Sequence, residues 1–72
     1  MSGFKFFTLE LQRAETNYKF KHGLTFIPQD VIITSTIGSG LVTLNYELFD
    51  KTYIDLTTTN AVKLRFYLGS QE

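Results

Sequence analysis

His22 is the only histidine of the chain and Pro28 its only proline, and both lie in the stretch KFKHGLTFIPQD, residues 19–30, on either side of Gly23. An imidazole changes charge near neutral pH and is the commonest general base. A base needs a nucleophile within reach and a group that orients it. Ser35, Ser39 and the threonines could supply the first, and Asp30 or Asp55 the second. Their spacing matches no nucleophile elbow or comparable signature. His22 therefore reads as structural, in phase with Tyr18 and Phe20 at a strand end. Asp50 and Asp55 could form a glycosidase-like carboxylate pair or hold calcium, but a polar turn and the solvent face of a strand account for them. Gly38-Ser39-Gly40 lacks the lysine, the Ser or Thr and the helix of a phosphate-binding loop, and reads as a turn. Tyr18, Tyr46, Tyr53 and Tyr67 with Lys19, Lys21 and Arg65 could stack bases of a single strand, or sugars. Aromatic side chains that fill a core and a subunit interface explain the same residues.

The elements that must position these groups are strands. Phe7 to Gln12 alternates apolar and polar, the period of a half-buried strand, while Phe4 and Phe6 sit in the opposite phase and suggest a bulge near Phe6. Residues 13–17 read as a turn, or as the best short helix candidate. Tyr18 to His22 alternates again. Gly23 and Pro28 then make a corner or an irregular arm, because proline lacks an amide hydrogen and holds Ile27 extended. Val31 to Thr36 opens on a continuous apolar run, as in a strand buried on both faces. Val42 to Tyr46, Tyr53 to Thr57 and Val62 to Leu68 each alternate, with turns at 38–40, 48–52 and 58–60, and a solvated tail from Ser70 to Glu72. Six short strands at regular spacing predict one all-β domain over residues 1–72, a small antiparallel sandwich or partly open barrel. An OB-like barrel is the rival.

With 72 residues the chain buries only about 60% of the surface it exposes unfolded, so its core is marginal. It has no cysteine for a disulfide, and one histidine does not make the usual structural zinc set. No cofactor or metal is expected, which leaves self-association as the reinforcement. Seven basic and seven acidic residues cancel, whereas nucleic-acid modules carry a basic stripe. No apolar run approaches the ~20 residues that span a bilayer, and the first residues lack the basic and apolar regions of a secretory signal. Synthesis without export is expected.

The stretch from Tyr18 to Gly69 resembles small virion proteins of tailed bacteriophages, of the head-decoration or fibre type. Their pattern is a strand, His-Gly-Leu, a proline a few residues on, a buried strand, an alternating strand, a "tyIdLT" strand and a "vrfyvG" strand. The matching residues here are His22, Gly23, Leu24, Pro28, Val31, Ile54, Leu56, Arg65, Phe66 and Gly69. Thr25 stands where many of those proteins have a second glycine. The resemblance implies a non-catalytic β domain on a virion, a homo-oligomer and commonly a trimer, with phage capsid or tail proteins as partners. It gives His22, Gly23 and Pro28 the role of a structural corner, in which the His22 ring bonds backbone. Subunit or partner contacts are expected from the residues left on a second face: Phe4, Phe6, Phe49, Tyr53 and Tyr67. The first rival is a glycan-binding host-recognition module using Tyr46, Tyr53 and Asp55. The second is an OB-like single-strand nucleic-acid binder, disfavoured by the neutral charge.

Overall fold

A computed structural model describes residues 3–70; Met1, Ser2, Gln71 and Glu72, and with them most of the predicted tail, lie outside the described residues. Six strands form in the predicted places: β1 (Phe4–Leu11), β2 (Glu15–Lys21), β3 (Asp30–Ile37), β4 (Val42–Leu44), β5 (Tyr53–Thr58) and β6 (Val62–Gly69). They make two antiparallel three-stranded sheets, ordered β1-β6-β3 and β2-β5-β4. The two sheets are separate ladders, so the architecture is a small sandwich, and the OB-like barrel is set aside.

The centre of each sheet is the strand with the cleanest alternation. On β6, Val62, Leu64, Phe66 and Leu68 are buried while Lys63 and Arg65 are exposed. On β5, Ile54 and Leu56 are fully buried beneath the facing sheet. Phe7 from β1, Phe20 from β2 and Phe66 from β6 join the sheets through mutual ring contacts with centroids 5.2 to 5.7 Å apart. Full burial, as at Phe66, contributes roughly 1.5–3 kcal/mol, the half-buried Phe7 and Phe20 contribute less, and edge-on ring pairs add to that.

Three local expectations need correction. No bulge occurs near Phe6; β1 pairs with β6 in unbroken register from Phe4 to Leu11, and Phe4 and Phe6 simply point outward. The bulges lie elsewhere, between Glu15 and Tyr18 on β2 and between Ile33 and Ser35 on β3. Residues 13–17 are no helix: β2 has begun by Glu15, and Asn17 takes a left-handed φ of 53° at the bulge, a conformation asparagine tolerates better than most residues. Finally, β3 is not buried on both faces. It pairs only with β6 and forms an edge, with Ile32, Ile33 and Ile37 exposed. Continuous apolar character meant burial only if a second neighbour existed, and it does not.

The turn at Gly38 shows why glycine is needed. Its φ is 116°, and an added Cβ would stand 2.8 Å from the Ala61 carbonyl oxygen. The Gly40 amide donates to that same oxygen at 3.2 Å, so the turn serves the fold and not a phosphate.

Candidate functional site

The corner at His22 is built as a lock. The ring is 1% exposed. The Leu24 amide donates to Nδ1 at 3.0 Å, so Nδ1 carries the lone pair, the ring proton sits on Nε2, and Nε2 donates to the Asp50 carbonyl at 2.9 Å. The His22 amide donates to the Thr52 carbonyl at 3.0 Å. Gly23, at φ 69°, turns the chain so that Leu24 can reach back, and Pro28 is buried beyond it. Both ring nitrogens are thus engaged in backbone bonds that tie the corner to the loop before β5. Replacing His22 with alanine is expected to cost about 2–3 kcal/mol, two hydrogen bonds and a cavity, seen as a melting temperature lower by roughly 10 °C or more. Nitrogen-15 spectra should show the tautomer protonated on Nε2. An unchanged melt would refute the lock.

Asp50 and Asp55 are not a facing pair. Asp50 Oδ1 accepts the Thr52 and Tyr53 amides at 2.7 and 2.6 Å, capping the loop. These two bonds, Tyr53's the stronger, hold its carboxyl below the ordinary value. Asp55 sits on the outer face of β5 and is fully buried. Its Oδ1 accepts from Asn17 at 2.9 Å and from Asn45 at 2.8 Å, and its Oδ2 binds Lys19 Nζ at 2.7 Å. Burial pushes this carboxyl up, but the bonds from Lys19, Asn17 and Asn45 together outweigh it and hold the group below the usual range. Asp55 therefore clasps β5 to the strand on one side and to the end of β4 on the other. It has no oxygen to offer a sugar. Among the described residues, no three His, Cys, Asp or Glu side chains converge as metal ligands.

The tyrosines are dispersed. Tyr18 points into the core opposite Leu56. Tyr46 lies in a short 3-10 turn (Tyr46–Leu48) against Phe49, ring centroids 5.0 Å apart. Tyr53 is half-buried on the outer face of the β2-β5-β4 sheet. They make no common platform for bases. Phe49, expected at a subunit contact, belongs to the core at 8% exposure. Its partner side chains across the sandwich were invisible to strand phase, because Phe49 lies in a loop.

What the structure does bring together is the outer face of the β1-β6-β3 sheet. Phe6, Tyr67 and Ile32 form one row across the three strands, and Thr8, Arg65 and Ser35 form the next. The Phe6 and Tyr67 rings lie 5.1 Å apart, and the Arg65 guanidinium lies 5.4 Å from the Phe6 centroid. Phe6, Thr34, Ser35, Arg65 and Tyr67 line an open groove of about 430 Å³. Beside it, the β3 edge continues the apolar character through Ile33, Ile37 and, past the turn, Leu41. Sequence reasoning named Phe6 and Tyr67 but missed Ile32 and Ile33, having assigned them to the interior.

No protein-family profile, curated protein sequence or solved structure matches this chain.

Proposed function

We propose that the chain is a non-enzymatic structural protein of a tailed-phage virion, a capsid decoration or fibre-type module working as a homo-oligomer, a trimer. The observation that carries self-association is the contrast among the four sheet edges. Exposed edges invite pairing and are normally blunted by charge, shortness or bulges. The β1 edge carries Lys5 and Glu10, and β2 carries Glu15, Lys19 and Lys21. Strand β4 is only three residues long. Strand β3 has one charge, Asp30 at its start, and a bulge at Thr34; its other exposed side chains include Ile32, Ile33 and Ile37. The occupant argued for this strip is a second copy of the chain. Formal net charge is zero, so identical copies do not repel one another at range, and a domain this small gains stability from each partner that binds only its folded form.

The virion assignment and the trimer rest on the His-Gly-Leu to Pro pattern and its following strands. The test is native mass by light scattering, followed by sedimentation with purified phage capsids. Three times the 8.3 kDa chain mass, together with capsid binding, is the expected result. A stable monomer that melts cooperatively would overturn self-association, and an oligomer that ignores capsids and tails would overturn the virion role.

A further inference from the structure

We infer that the groove on the outer face of the β1-β6-β3 sheet is a binding site for an acidic sugar, a carboxylate-bearing unit of a polysaccharide. This goes beyond the structural role and does not depend on it. The bulge in β3 is the first observation. Two residues there, Thr34 and Ser35, occupy the space of one, and the extra residue turns Ser35 to the outer face as the register partner of Arg65. Bulges commonly re-aim a side chain in this way beside functional sites. The Ser35 hydroxyl is buried and has no hydrogen-bond partner among the described residues, although buried polar atoms are nearly always paired. Thr34 is anchored by its own hydroxyl, which donates to the Arg65 carbonyl at 3.1 Å.

The second observation is the arginine. Among the described residues the ion pairs are Arg13–Glu15 and Lys19–Asp55, so the Arg65 guanidinium answers no carboxylate. It is held by the Phe6 ring instead, a contact that orders it without using its fork of N–H donors. That fork matches a carboxylate in bidentate fashion. Phe6 and Tyr67 add aromatic surface on which the C–H face of a sugar ring can lie. A nucleic acid fits poorly. Its affinity comes from several phosphate contacts, and the next cation on this face, Lys63, has Glu10 as its register partner.

The probe is a galacturonate trisaccharide titrated into nitrogen-15-labelled protein, with a neutral galactose trisaccharide and a tri-glutamate peptide alongside. The expected result is a millimolar dissociation constant for the galacturonate, with shifts centred on Phe6, Ser35, Arg65 and Tyr67. The galactose and the peptide should each bind at least tenfold more weakly. Arg65→Gln should weaken galacturonate at least tenfold, with its melting temperature near that of the parent. Equal binding of galactose, equal binding of the peptide, shifts elsewhere, or indifference to Arg65→Gln would each overturn the assignment.

Discussion

Replacing Asp55 with alanine is expected to cost about 3–5 kcal/mol, a large share of the whole stability of the domain. Removing one partner of a buried pair costs that much because the other partners are left uncompensated. Here those partners are the Asn17 and Asn45 amides and the Lys19 ammonium. A domain of 72 residues has a total stability of only about 4–11 kcal/mol. Lys19→Met should cost less, about 2 kcal/mol, because the fully buried Asp55 carboxylate loses its counter-charge but keeps the Asn17 and Asn45 amides. Urea unfolding followed by circular dichroism measures both. An Asp55→Ala variant within 1 kcal/mol of the parent would show that the clasp contributes nothing.

The same carboxylate makes the fold acid-sensitive. Asp55 and Asp50 both titrate below their ordinary 3.8 in the folded chain. The unfolded chain therefore takes up protons first as pH falls. The stability they supply is fully present above the ordinary carboxylate range, and it drains away as pH drops through the lower folded values. The melting temperature should be flat near neutrality and fall steeply in strong acid. In Asp55→Asn that acid limb should be shallower, because one of the two linked groups is gone.

Much of the architecture is legible in single strands. Val62, Leu64, Phe66 and Leu68 name the core face of β6 by alternation alone, and the corner role of His22, Gly23 and Pro28 follows from the types of residue present. What strand phase cannot reach is the neighbour. The run Val31-Ile32-Ile33 looks the same whether a strand flanks it on both sides or on one, and only pairing distinguishes a core strand from an edge. Asp55 looked like a solvent-face residue because alternation placed it outward, which is correct. Its burial comes from Asn17 and Asn45, far away in sequence. The available signal was the presence of two asparagines in or beside strands, where asparagine is disfavoured unless its side chain has a particular task. The groove at Arg65 depends on a bulge that shifts Ser35 by one face, and a one-residue change of register inverts every assignment downstream of it.

The double variant Ile32→Glu with Ile37→Lys is expected to convert the proposed oligomer to monomer while leaving the subunit folded. Both side chains lie on the outer face of β3, opposite Tyr67 and Lys63, and are 36% and 60% exposed in the isolated chain, so the monomer loses little by the exchange. At an interface between copies each isoleucine would contribute roughly 1–2 kcal/mol by burial, and a charge placed there brings a desolvation cost as well. Together these should weaken association by about a thousandfold, given that each 1.4 kcal/mol is roughly a factor of ten. Sedimentation equilibrium reads the mass directly. A second readout separates this from simple destabilisation: the melting temperature of the parent should rise with protein concentration, since partners bind only the folded form, and that of the variant should not. If parent and variant share one mass and one concentration dependence, β3 is not where the copies meet. If the variant unfolds in dilute solution at ordinary temperature, the isoleucines belong to the core of the subunit after all, and the contrast among the four edges has been misread.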